Sequence, residues 1–356
     1  MTAVDRKLRV LIVDDSATVR RFLSDLVNST PDMTVVGEAR DGQEAVAMAA
    51  SLRPDVISMD IQMPVMDGLA ATELLMRQQP LPIVIVSSRL ERNEKTVDLA
   101  FLALQAGALA VLKTPPAASH PDYPAARDQF LGTLRAMAAV SVVRRWQTRP
   151  IPPTGETLPR AAPPLVIAIG ASAGGPMALH TILGALPADF PIPIAVVQHM
   201  AEGFIEGLVR WLDGSSRLRV RLAEPGQLLQ PGEVTVASSA GHLTLHRVGD
   251  RARAYVDTER GPTPYQPSVD RLFASIAEGF GPRAVGILLT GMGDDGAHGL
   301  LQMRQRGART IAQDEESCLV YGMPRAAVEL GAVEQVLPLK AIAPALLTLA
   351  QTVQPR

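Results

Sequence analysis

The stretch LRVLIVDD at residues 8–15 decides the fold, because a short aliphatic run passes straight into two adjacent carboxylates. Such a run, without the polar alternation of a half-solvated strand, belongs inside a parallel sheet covered by helices. Similar runs return as MTVVGEA (33–39), DVISMD (55–60), PIVIVSS (82–88) and ALAVLK (108–113), with helix-length segments between them. Five strands alternating with helices predict a doubly wound α/β domain of the flavodoxin type. Phe130, Leu134, Met137 and Val140 recur at helical spacing, so residues 130–146 are predicted to close this unit as an amphipathic helix.

Beyond it, Pro150, Pro152, Pro153, Pro159, Pro163 and Pro164 remove backbone donors and disfavour helix, which marks residues 148–163 as a linker. The domain plan is therefore 1–147, linker 148–163 and 164–356. After Pro164 the buried runs resume as LVIAIGAS (165–172), IPIAVVQHM (192–200) and AVGILLTGMG (284–293), with helices around residues 177–186 and 204–212. These predict a second doubly wound parallel sheet, Rossmann-like in plan. Residues 233–256 hold EVTVAS, HLTLHRV and RAYVD, separated by Gly241 and Gly249, and predict an antiparallel hairpin grafted on the sheet edge.

The composition excludes several classes. A chain of 356 residues, 47% apolar and 20% charged, is long enough for two cores. Its 34 basic and 36 acidic side chains leave a net charge of −2, so no overall field draws it to nucleic acid or anionic lipid. One cysteine, Cys318, cannot form an internal disulfide or a thiolate metal site alone, which suits a reducing compartment. The amino-terminal apolar run is too short for a signal peptide and no run matches a bilayer span, so the expectation is a cytoplasmic protein without membrane insertion.

Asp14 and Asp15 end the first strand and Asp60 ends the third, at the sheet edge where open α/β folds bind ligands. Unit charges about 4 Å apart repel by about 4 kcal/mol at an effective dielectric of 20, so the cluster calls for a cation. Oxygen ligands alone favour Mg²⁺. The chemistry that suits such a pocket is phosphoryl transfer to Asp60. The motifs VDD (13–15), MDIQMPVMDG (59–68) and VSS (86–88) resemble those of response-regulator receiver domains in order and spacing. The resemblance implies that Asp60 takes a phosphoryl group from a histidine kinase, that Asp14 and Asp15 help hold Mg²⁺, and that Ser87 contacts the phosphate. Two departures stand out. The family ends its fifth strand in Lys-Pro, whereas Lys113-Thr114-Pro115 inserts a residue, so Lys113 is expected to reach the phosphate only through a bulge or a gap. Val111 replaces the family's aromatic residue, which argues against a switch by ring rotation.

In the second half, Gly170, Ser172 and Gly174 of IGASAGGP (169–176) match the G-x-S-x-G spacing of a nucleophile elbow. The turn also admits a phosphate-binding reading, although G-x-G-x-x-G does not fit. Of the six histidines, His199 ends a strand on the same sheet edge. His180 is on the helix after Ser172, His242 and His246 are in the hairpin, His120 lies after the receiver strands, and His298 is a competing base expected in a helix. Asp294 and Asp295 of LTGMGDDGAHG (289–299) both lie where a carboxylate can hold the imidazole tautomer. The order Ser, His, Asp argues against an ordinary lipase fold.

GASAGG, VVQHM, PSVDRLF (267–273), LLTGMGDDGA and AQDEESCLVYGMP (312–324) together resemble the catalytic domain of the chemotaxis protein-glutamate methylesterase family. The resemblance implies Ser172 as nucleophile, His199 as base and Asp295, directly before the glycine, as the acid. The amides of Ala173 and Met292 are the candidate oxyanion donors. It further implies hydrolysis of glutamyl methyl esters on cytoplasmic chemoreceptor helices, possible glutamine deamidation, no cofactor for the ester step, and a receiver that restrains the active site until phosphorylated. Two other classes are weighed beside it: a phosphorylation-gated scaffold with a degenerate esterase centre, and a receiver joined to a nucleotide-binding domain.

Overall fold

The computed structural model describes residues 6–88, 94–140 (side chains from 98 onward), 163–200, 203–259 and 265–351. The chain divides into two compact units, Met1–Arg149 and Pro150–Arg356. Residues 148–162 of the predicted linker lie outside the described residues. Among the described residues no helix is long and apolar enough to cross a membrane.

In the first unit, strands β1 (Leu8–Val13), β2 (Met33–Ala39), β3 (Val56–Met59), β4 (Ile83–Ser87) and β5 (Ala110–Lys113) form one parallel sheet in the order β2-β1-β3-β4-β5. The aliphatic runs are strands because both faces are covered: Val10, Leu11, Ile12, Val56, Ile57, Ile83, Val84 and Ile85 are buried. The connecting helices are α1 (Ala17–Asn28), α2 (Gly42–Leu52), α3 (Gly68–Gln78), α4 (Glu94–Ala106) and α5 (Tyr123–Ala138). Three start at side-chain caps, in which Ser16, Asp41 and Asp67 accept the amides of Val19, Glu44 and Ala70. The closing helix ends at Ala138 and begins seven residues earlier than predicted, since Pro124 fits the first turn of a helix. Residues 141–146 of the prediction are outside the described residues.

The second unit is built on a seven-stranded sheet in the order β14-β13-β12-β6-β7-β9-β8, with every neighbouring pair parallel. Its strands are β6 (Val166–Ala171), β7 (Ile194–Gln198), β8 (Arg219–Leu222), β9 (Glu233–Val236), β12 (Ala284–Leu288), β13 (Arg309–Gln313) and β14 (Gln335–Leu337). The hairpin prediction needs correction. Only β10 (His242–Val248) and β11 (Arg251–Asp257) pair antiparallel, as a separate two-stranded sheet. EVTV is a parallel strand inside the main sheet, between β7 and β8. Its Val234, Thr235 and Val236 are all fully buried, which is the two-faced burial of a sheet interior. The hairpin packs instead on α8 (Val269–Phe280) through Leu243 and Leu245, which join Leu272, Phe273 and Ile276 in one core. The remaining helices are α6 (Gly175–Gly184), α7 (Ile205–Ser215), α9 (Ala297–Gln305), α10 (Met323–Glu329) and α11 (Leu339–Ala350).

Both sheets change winding direction at their first strand. The chain leaves β1 towards β2 and returns past it to β3, and it leaves β6 towards β7 and returns past it to β12. The carboxyl ends of the strands flanking such a reversal open a crevice for ligands. Asp14, Asp15, Asp60, Ser172 and Asp295 lie after strands that flank these reversals, and Ser87, Lys113 and His199 lie at the carboxyl ends of the neighbouring β4, β5 and β7.

Candidate functional sites

In the first unit, Asp14 and Asp15 follow β1 and Asp60 follows β3, and a carboxylate oxygen of each lies within 4.8 Å of the others. The backbone sets this convergence: the Asp60 amide donates to the Val13 carbonyl at 2.8 Å. Gly68 closes the loop because a Cβ there would stand 2.2 Å from the Asp60 carbonyl oxygen. Asp14 Oδ1 accepts the Ser16 amide at 2.8 Å. Burial, then the Asp60 charge, pushes the Asp14 carboxyl up to about 7, and the Ser16 amide offsets only part of that. A cluster of three carboxylates, two of them buried, is a donor set that fits a divalent cation.

Ser87 ends β4 and is fully buried. Lys113 is its register partner on β5, in a ladder that runs unbroken from Val84–Ala110. Paired residues project from the same face of a sheet, so Lys113 shares the face of Ser87 with no bulge. No bulge re-aims Lys113; its pairing with Ser87 is the register expected of the other route, a one-residue gap in which Thr114 is the extra residue before Pro115. Thr114, beyond the strand, donates its amide to the Ser87 carbonyl at 3.2 Å.

In the second unit, Ser172 and His199 leave adjacent strands at the same level. Ala171 and Gln198 are register partners, and the His199 amide donates to the Ala171 carbonyl at 2.9 Å. The fully buried Gln198 ties the two turns together, its Nε2 donating to the carbonyls of Ser172 at 2.8 Å and His199 at 3.0 Å. The glycines beside the serine are steric necessities: a Cβ on Gly170 would lie 2.2 Å from Val269 Cγ1, and Gly174 has φ +79°. From the third strand end, Gly291 approaches so closely that its Cβ would stand 2.7 Å from that of Ser172. Ala173 and Met292, the expected amide donors, are half-buried in the two turns that flank this point.

His199 Nε2 lies 2.8 Å from Asp295 Oδ2. The Asp295 carboxylate also accepts the Val269 amide at 2.7 Å, the Ser268 hydroxyl at 2.9 Å and the Asp270 amide at 3.0 Å. Four donors fill its four lone-pair directions. Burial by itself raises this carboxyl, but the His199 hydrogen bond and charge together with the α8 amides outweigh it and hold the group below the usual range. An ionised Asp295 makes Nε2 the protonated nitrogen and leaves Nδ1 as the acceptor. Asp294, its neighbour, is exposed, which separates two residues that spacing alone left equivalent.

The same helix starts brace each other. Asp295, on the loop before α9, accepts the first amides of α8, while Asp270, in the first turn of α8, accepts the Gly296 amide at 3.0 Å and the Gly299 amide at 2.6 Å. Ser268, Asp270 and Gln198 were assigned no role from sequence, although PSVDRLF offers a serine N-cap followed by an acid in the first helical turn. Tyr265 was also missed: its ring stacks on the His199 imidazole with centroids 4.8 Å apart and planes 2° apart. The other histidines lie elsewhere. His180 stacks on Trp211, His246 meets Tyr255, His298 is exposed on α9, and buried His242 accepts the Ser268 amide on Nδ1 at 3.2 Å.

Fold and geometry define a class: a receiver-type acidic pocket on one α/β unit, joined in one chain to a parallel-sheet unit with a His–Asp pair beside a serine turn. Residues 167–346 match the family model of the CheB methylesterase, and residues 10–118 match that of the response regulator receiver domain. A protein-glutamate methylesterase/protein-glutamine glutaminase of Myxococcus xanthus is 45% identical over 341 residues, 94% of this chain and 95% of the relative. One of Nitrosospira multiformis is 44% identical over 348 residues, 96% of this chain and 97% of the relative. The crystal structure of the Thermotoga maritima CheB methylesterase catalytic domain matches at 37% identity and a TM-score of 0.51, covering 53% of this chain and 100% of that domain. The chain belongs to the CheB methylesterase family and carries a receiver domain ahead of the methylesterase domain.

Proposed function

We propose that this chain is a phosphorylation-activated serine hydrolase that converts glutamyl methyl esters on the cytoplasmic helices of chemoreceptors to glutamate and methanol. Attack on a carboxamide by the same route deamidates receptor glutamines. The double activity in the relatives' name supports the substrate class. The observation that carries the chemistry is the His199–Asp295 hydrogen bond at the rim beside Ser172.

In this reading Ser172 Oγ attacks the ester carbonyl while His199 Nδ1 takes its proton, and Asp295 stabilises the imidazolium. The amides of Ala173 and Met292 bind the developing oxyanion, a contribution of roughly 100- to 1000-fold for each such donor. Collapse breaks the ester C–O bond, and the leaving methoxide takes the proton from His199 to depart as methanol. Water then repeats the sequence on the acyl enzyme, releasing the glutamate carboxylate and restoring Ser172. In the receiver, Asp60 accepts a phosphoryl group from a histidine kinase, with Ser87 and Lys113 contacting its oxygens. Asp14, Asp15 and Asp60 hold Mg²⁺, which neutralises phosphate charge when bound. The site of action is the cytoplasmic face of receptor arrays.

The test is methanol release from methylated receptor by the full chain, with and without a chemotaxis-class histidine kinase and ATP. Phosphorylation is expected to raise the rate about tenfold or more, and Asp60→Ala to remove that increment. A rate indifferent to the kinase would sink the regulatory half of the reading, and absence of methanol would sink the hydrolytic half.

The acidic pocket adds a pH prediction. With its folded pKa about 7 against an ordinary 3.8, Asp14 holds more protons folded than unfolded between these values. Metal-free receiver stability therefore declines as pH rises through that window. Mg²⁺ must displace the proton, so its affinity should increase by about tenfold from pH 6 to pH 8 in calorimetric titration. A pH-independent affinity contradicts the assignment of Asp14 as a ligand.

A further inference from the structure

The ester step as proposed uses one edge of His199 for Asp295 and the opposite edge for Ser172. It leaves unexplained what sets the plane of the ring. Parallel planes with centroids 4.8 Å apart describe an offset stack of Tyr265 on His199. Tyr265 is itself fixed by its surroundings: it is half-buried, and its hydroxyl lies 2.6 Å from where a Cβ on Gly293 would stand. The absence of a side chain at Gly293 thus lets the phenol lie across the loop that carries Asp295.

We propose that Tyr265 is a positioning residue for His199, fixing the imidazole plane and stabilising the imidazolium through the face of its ring. The inference rests on the reading of His199 as the base. An aromatic face attracts a cation but gives little extra to a neutral imidazole, so the stack favours the state in which His199 has taken the serine proton. Among the described residues, the other charged and titratable groups around the base are Asp295 in direct contact, Asp294 on the same loop, Asp270 on α8, and His242 with Arg271 and Asp257 behind Ser268. All of them are present in every Tyr265 variant, and Tyr265→Phe separates loss of the hydroxyl from loss of the ring.

The experiment compares full-length wild type with Tyr265→Phe, Tyr265→Leu and Tyr265→Met. Phenylalanine keeps the π face and is expected to retain kcat within about twofold and an unshifted acid limb of kcat/KM. Leucine and methionine fill the space without that face. For either, kcat should fall by roughly 3- to 30-fold, a range set by cation–π interactions, with KM little altered. Loss of the ring removes that stabilisation of the imidazolium, so the acid limb of kcat/KM is expected to move to lower pH. A second readout needs no turnover: in a Ser172→Ala background, NMR titration of the His199 imidazole should move in the same direction on adding Tyr265→Leu or Tyr265→Met. An unshifted titration and a wild-type limb in a folded Leu or Met variant overturn the proposal. His199→Ala separates this from failure of the parent reading: activity surviving in His199→Ala sinks the base assignment, whereas an inactive His199→Ala beside an unaltered Tyr265→Leu sinks only the stack.

Discussion

Ser172→Ala is expected to reduce methanol release by about four to six orders of magnitude while leaving thermal unfolding unchanged. The size follows from the loss of the nucleophile itself: without Oγ no acyl enzyme forms, and direct attack by water keeps only what the oxyanion amides and substrate binding contribute. The fold is expected to survive because Ser172 is held through its backbone. Its amide donates to Thr290, and its carbonyl accepts Gln198 Nε2 and the Gly175 amide. Alanine makes all three contacts. A scaffold with a degenerate centre predicts no change in rate, and a rate within tenfold of wild type would remove serine catalysis from consideration.

Asp295→Asn should have a comparably large but different effect. Asparagine has nearly the shape of the carboxylate but replaces one acceptor oxygen with a donor. At Oδ2 the new NH₂ faces His199 Nε2 and the Val269 amide, and at Oδ1 it faces Ser268 and the Asp270 amide. In either orientation an N–H confronts a backbone N–H inside a buried site. We expect a loss of about 1–3 kcal/mol in stability and of about 10⁴ in kcat, since the charge that supports the imidazolium is gone. The pH dependence carries a signature. Because the folded Asp295 carboxyl lies below its ordinary value, its stabilisation is complete above the unfolded pKa and is lost as pH falls through the folded one. Asp295→Asn should therefore flatten the acid side of the stability profile relative to wild type. A variant with wild-type melting and kcat would contradict both halves.

The two predictions mark how far sequence carries. The strand ends were legible because two-faced burial writes continuous aliphatic runs, and those ends bear Asp14, Asp60, Ser172 and His199. What surrounds Asp295 was not legible, since Ser268, Val269 and Asp270 lie 25 to 27 residues away along the chain and meet it only after α8 docks. EVTV was misplaced because its short run of alternating side chains suits a hairpin as well as an inner strand, and burial alone decides between them. Lys113 could be placed only conditionally by counting from a proline outside the ladder, because register is set by the pairing of β5 with β4. Tyr265 had no sequence signal, because stacking depends on where a loop passes.

The mutual caps between the starts of α8 and α9 have an evolutionary consequence. Asp270 anchors the turn that delivers Asp295, and Asp295 anchors the turn that delivers Asp270. Substituting Asp295 orphans donors at the start of α8 and substituting Asp270 orphans those at the start of α9, so selection on folding alone resists drift at a position that selection on turnover also guards. A lineage that abandoned ester cleavage would keep this aspartate pair long after Ser172 had gone, and the persistence of the acids is a poor sign that such a descendant still works as an enzyme.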